Sequence, residues 1–113
     1  MAATKGPSFT IASGATTSDA LDMGASPDAY GGFAGFITPA ALTGSTFTFT
    51  VSVDDTTYYP LYNASTQLSI AVTTSKAYGF TADQRTTLSP WRFIKIVSGS
   101  AEGGARTILA LYK

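Results

Sequence analysis

The chain has 113 residues, seven Lys and Arg against seven Asp and Glu, and neither His nor Cys. That length suits one domain with a single core; without Cys there are no disulfides or thiolate sites, and without His the usual nucleophile triads are excluded. Charged residues make up only 12%, about half the usual share of a soluble domain, and Lys5, Lys76, Arg85, Arg92, Lys95, Arg106 and Lys113 form no run, so the basic stripe that nucleic acid requires is missing.

Taken from the N-terminus, "MAATKGPSF" has no apolar h-region, so no signal peptide is expected, and no stretch approaches the ~20 apolar residues of a membrane helix. Residues 1–8 are expected to form a flexible arm and residues 9–113 a single domain. Phe9 and Ile11 alternate in a first strand, and "TSDALDMGA" sets Ala20 and either Leu21 or Met23 at strand spacing. "YGGFAGFITPA" places Phe33, Phe36 and Ile37 among glycines, which predicts a bent or bulged strand. In "FTFTVSV" the residues Phe47, Phe49, Val51 and Val53 alternate with Thr48, Thr50 and Ser52, the pattern of an antiparallel strand with one face in the core. Asp54 to Thr57 carry hairpin-loop chemistry, and Tyr58 to Tyr62 resume as a strand that Pro60 confines to an edge or bulge. Further strands follow at Leu68, Ile70 and Val72 and at Tyr78 and Phe80. "TADQRTTLSP" reads as a loop with room for one helical turn, and "WRFIKIVSG" and "RTILALYK" close the chain with strands. The fold class predicted is all-β: an antiparallel two-sheet β-sandwich, jelly-roll-like, of seven to nine short strands, although an immunoglobulin-like order leaves a similar pattern.

Candidate chemistry is sparse. Asp54 and Asp55 are adjacent acids that could hold Ca²⁺ or serve acid–base catalysis, but turn geometry at a hairpin tip accounts for them better. Asp22 and Asp28 make too thin a ligand set, and "GGFAG" is followed by neither a helix start nor a phosphate-binding Lys. A Ser–Lys pair would need Lys5, Lys76 or Lys95 buried beside a Ser, which nothing in the pattern supports. "NAS" at Asn63 to Ser65 is a formal glycosylation acceptor that reads more simply as a turn. No catalytic residue, metal site or cofactor is expected. Phe47, Phe49, Phe80, Phe93 and Trp91 are assigned to the core, whereas Tyr30, Tyr58, Tyr59 and Tyr62 are candidates for an interface or a glycan-stacking platform.

Several short motifs also stand together. Met23-Gly24, Pro39-Ala40-Ala41, Phe49 to Val53 with Asp54, Leu61-Tyr62, Arg92 to Ile96 with Ser98-Gly99, and Arg106 to Ile108 make the chain resemble small virion proteins of tailed bacteriophages over residues 19 to 113. In that group Gly often follows the first Asp of the hairpin, where this chain has Asp55. The architecture also looks like discoidin-like jelly rolls that bind carbohydrate. The resemblance implies a non-enzymatic capsid decoration, or cement, protein that stabilises the head shell; it would be made in the bacterial host cytoplasm and carried on the virion surface. Its partners would be the major capsid protein and itself, as a homotrimer, with no nucleic acid and no membrane. Lys5, Pro7 and Phe9 would lie on a capsid-contacting arm. The alternative is a carbohydrate-binding, tail, baseplate or head–tail structural module of the virion.

Overall fold

The computed structural model describes residues 4–22, 33–88 and 90–112. Among them are eleven strands: β1 (Thr4–Ile11), β2 (Leu21–Asp22), β3 (Phe33–Ile37), β4 (Thr46–Ser52), β5 (Tyr59–Pro60), β6 (Tyr62–Asn63), β7 (Thr66–Gln67), β8 (Ser69–Ala71), β9 (Ala77–Gly79), β10 (Phe93–Ser98) and β11 (Arg106–Tyr112). One helix, α1 (Ala82–Leu88), joins β9 to β10. The strand count exceeds the expected seven to nine because the strand anticipated over Tyr58 to Tyr62 breaks at Leu61 into β5 and β6, and the one anticipated around Leu68, Ile70 and Val72 is split at Leu68 into β7 and β8, with β6 and β7 paired as a small hairpin across the expected Asn63 to Ser65 turn.

Two antiparallel sheets carry the fold. The first has the order β1-β11-β3-β9; in the second, β2-β10-β4 is completed by β5 and β8, which share one edge of β4. With the insertion β5–β7 set aside, eight principal strands remain, and the first pairs with the last (β1 with β11), the second with the second-last (β2 with β10), then β3 with β9 and β4 with β8. The chain is thus one long hairpin whose successive strand pairs alternate between the two sheets. That is the order of a jelly roll, and it separates this fold from an immunoglobulin-like sandwich.

The core lies between the sheets. From β1 come Phe9 and Ile11, from β3 Phe33 and Phe36, from β4 Phe47, Phe49 and Val51, from β10 Ile94 and Ile96, and from β11 Ile108 and Ala110, all buried. Phe33 and Phe36 are three apart, which strict alternation would place on opposite faces. A register shift against β11 sets Phe33 opposite Tyr112 and Gly35 opposite Leu111, and this bulge turns both rings inward. Gly35 is required at the bend, because a Cβ there would overlap the carbonyl oxygen of Tyr78 on β9. The ring of Phe33 then lies 4.8 Å from Phe80 and 5.6 Å from Phe9, tying β3 to both neighbours of the aromatic cluster.

Three expectations are corrected. The arm expected over residues 1–8 is in the sheet from Thr4 onward, since Thr4 pairs with Tyr112 and Lys5 with Leu111. Pro7 lies where the register shifts between Lys5 and Ser8, in an edge strand that does not need its missing N–H, and Phe9 is a fully buried core residue rather than an arm contact. Val53 is 70% exposed because β4 ends at Ser52, whose hydroxyl accepts the N–H groups of Asp54 and Asp55 and turns the chain. Phe93 is half-buried on the outer face of β10, as Ile94 and Ile96 take the inward positions.

Candidate functional site

Of the four tyrosines singled out, Tyr30 lies outside the described residues. Tyr58 is set apart from Tyr59 and Tyr62. Tyr58 is half-buried, with its ring under the Lys95 ammonium at 4.2 Å and its hydroxyl donating to the Asp55 carboxylate. Burial and that carboxylate push its phenol well above the ordinary value. Tyr59 and Tyr62 are exposed, at 62% and 51%. The strand break at Leu61 turns them out: Leu61 is buried and donates its N–H to Phe49 O, so its neighbours project from the sheet edge.

The two acids of the hairpin tip hold the loop. Asp54 Oδ1 accepts the N–H groups of Thr56 (3.0 Å) and Thr57 (3.2 Å) and the Ser52 hydroxyl (2.9 Å), which together hold its carboxyl below the usual range. Asp55 sits at φ 60°, in the left-handed region. Gly adopts that conformation freely and Asp tolerates it, so a Gly at this place would keep the same turn. Asp22, considered as a Ca²⁺ ligand, instead accepts Arg92 Nε at 3.0 Å and Nη2 at 3.2 Å. Asn63, exposed on the β6–β7 hairpin, donates to Asp83 at 2.9 Å.

Sequence reasoning passed over Glu102, the most enclosed charge in the described residues. It is 1% exposed. Its Oε1 accepts the Thr43 N–H at 2.7 Å and Arg106 Nε at 3.0 Å, and its Oε2 accepts the Gly44 N–H at 2.9 Å and the Ser98 hydroxyl at 2.7 Å. Burial alone would raise its pKa; the Thr43 and Gly44 N–H groups, Ser98 and Arg106 outweigh it and hold the carboxyl at about 2. Ser98 and Arg106 belong to two of the short motifs noted above and Thr43 lies two residues beyond a third, Pro39-Ala40-Ala41, so residues far apart in sequence meet at one carboxylate. The signal available was Glu102 itself, a lone acid in a Gly- and Ser-rich turn, "SGSAEGGA".

The outer faces of the sheets differ in character. On the second sheet the outer face carries Asp22, Phe93, Lys95, Thr48 and Thr50, with the Arg92 guanidinium 4.9 Å from the Phe93 ring centroid. The first sheet presents Ile37 beside Leu109 and Leu111 beside Gly35, all three aliphatic side chains half-buried, bordered by exposed Ser8, Thr10, Thr107 and Ala77. Among the described side chains of that face none is charged. Comparison with family models, with curated proteins and with solved structures gives no match.

Proposed function

We propose that this chain is a non-enzymatic structural protein of a tailed-phage virion, a decoration protein that docks on the head shell and stabilises it. The observation that carries this reading is the outer face of the first sheet, where Ile37, Leu109 and Leu111 stand half-buried within a rim of Ser, Thr and Ala and no described side chain is charged, Lys5 on β1 being paired opposite Leu111 at its margin. Such a face suits contact with another protein, because burial of its aliphatic surface yields affinity with little charge to desolvate. The motif resemblance supports the same role and supplies the partner, the major capsid protein. Behind that face, the jelly roll provides a rigid block whose buried Glu102 ties the loops after β3 and β10.

The test is co-sedimentation of purified protein with expanded, tag-free phage shells. Saturable binding is expected, lost in Leu109→Asp and in Thr107→Arg, the second of which alters only an exposed position. Binding unaffected by either change would remove the face from the proposal. A carbohydrate-binding role is the second reading, favoured by exposed Tyr59 and Tyr62; retention on a glycan array that disappears in Tyr59→Ala, with no shell binding, would establish it instead.

A further inference from the structure

The four sheet edges are not equally protected. On β1 the Thr10 N–H donates to Asp19 Oδ1 (2.8 Å), the Asp19 N–H donates to Thr10 O (3.1 Å), and a bridge joins Ile11 to Ser18, so the C-terminal half of that edge is covered. β2 is two residues long, with Asp22 held by Arg92. β5 contains Pro60, and the β6–β7 hairpin leaves the same edge between β5 and β8, closed at its base by Leu68 N–H donating to Leu61 O (3.0 Å), so this edge is interrupted by an insertion. These are ordinary ways of blunting an edge. β9, three residues long and preceded by Lys76, has neither a Pro nor a bulge, and among the described residues no backbone hydrogen bond covers its outer side.

The hydrogen-bond phase of β9 follows from its register. Thr38 N–H donates to Lys76 O (2.8 Å) and Phe80 N–H donates to Ala34 O (2.9 Å), while Ile37, Phe36 and Gly35 face Ala77, Tyr78 and Gly79. Lys76, Tyr78 and Phe80 therefore turn their backbone groups toward β3, and Ala77 and Gly79 turn theirs outward. Both outward residues are exposed and uncharged, and open space surrounds the position a Cβ would take on Gly79.

This edge is complementary to itself. A two-fold axis at Tyr78 sets Ala77 opposite Gly79 of a second copy and Gly79 opposite its Ala77, which closes four N–H···O bonds and joins the two four-stranded sheets into one. Lys76 then faces Phe80 of the other copy and no like charges meet; the whole chain carries formal net charge 0, so the approach of two copies is not opposed. We propose that two copies of this chain pair antiparallel through β9. The contact is isologous, so it departs from the three-fold arrangement the resemblance implies, and it does not depend on shell binding.

The chain has no Cys, which gives a direct test. Ala77→Cys and Gly79→Cys proteins are prepared separately, mixed, and oxidised. Residues in a hydrogen-bonded pair lie about 5.5 Å apart, within disulfide reach, while Ala77 and its own copy are diagonal and beyond it. The expected result is a cross-linked dimer in the mixture and none in either variant alone, with the unmodified chain reaching twice its monomer mass in sedimentation equilibrium as concentration rises. An unmodified chain that stays monomeric, a mixture that does not cross-link, or single variants that cross-link as well as the mixture would overturn the pairing; so would cross-linking of Ser69→Cys with Ala71→Cys in place of the β9 pair.

Discussion

At the scale of single residues, Glu102 concentrates more of the fold than any other charged side chain described. Four donors from three segments converge on its two oxygens, and the Arg106 side chain that balances its charge is only 18% exposed. Replacing the carboxylate by an amide turns acceptors into a donor group beside existing donors and leaves the guanidinium without its counter-charge. Glu102→Gln is therefore expected to cost about 3 kcal/mol, as removal of one member of a buried pair does, read as a lower urea midpoint with an unchanged slope. The pH dependence has a definite sign. The folded carboxyl, at about 2, lies below its ordinary value of 4.5, so the stabilisation is fully present above pH 4.5 and is lost as pH falls from there toward 2. The gap in stability between the native chain and Glu102→Gln should be constant near neutrality and shrink across that acid window; a gap that stays the same at pH 2.5 would mean that Glu102 is not held as its hydrogen bonds indicate.

At the scale of elements, most strands were readable because their apolar residues alternate, and departures occur where one residue overrides the period. β3 is the clearest case. Glycines in "GGFAGF" announced a bend, but which residue bulges depends on β11 and β9, elements far away in sequence, and Gly35 owes its identity to the Tyr78 carbonyl beside it. Gly35→Ala should force β9 away from β3 and cost about 2 kcal/mol, within the range for overpacking; Gly79→Ala, where nothing stands within 4 Å, serves as the control and should cost less. Equal thermal midpoints for the two variants would contradict the close approach. The helix illustrates a signal that was present and passed over. Thr81 and Gln84 form a capping box, with Thr81 Oγ1 accepting the Gln84 N–H at 3.2 Å and Gln84 Oε1 accepting the Thr81 N–H at 2.9 Å. "T-A-D-Q" was legible as a helix start, but with only seven residues before Ser89-Pro90 the apolar period never had length to declare itself.

At the scale of the whole molecule, the all-β class and the single buried core could be read from alternation, whereas strand order could not, because pairing of β1 with β11 joins opposite ends of the chain and leaves no local mark. The same nesting limited what could be read of the interaction surfaces: Ile37, Leu109 and Leu111 share a face only once β3 and β11 are known to be neighbours. It also makes a prediction about cooperativity. Each of the eight principal strands pairs with a partner distant in sequence and all but short edge strands line the one core, so they should open together, whereas the β5–β7 insertion can open by itself. Every residue of those three short strands is exposed, and only the intervening Leu61 is buried with them. Native-state hydrogen exchange should therefore divide the amides into two classes. Those of Phe49, Ile94, Ile96, Ile108 and Ala110 should exchange through global unfolding with a common dependence on denaturant, and hydrogen-bonded amides of residues 59–67 at least roughly a hundredfold faster through local opening. If the insertion shared the protection and denaturant slope of β4 and β10, it would be a cooperative part of the sandwich, and the chain would unfold as eleven strands together rather than as a closed jelly roll carrying a loosely held hairpin.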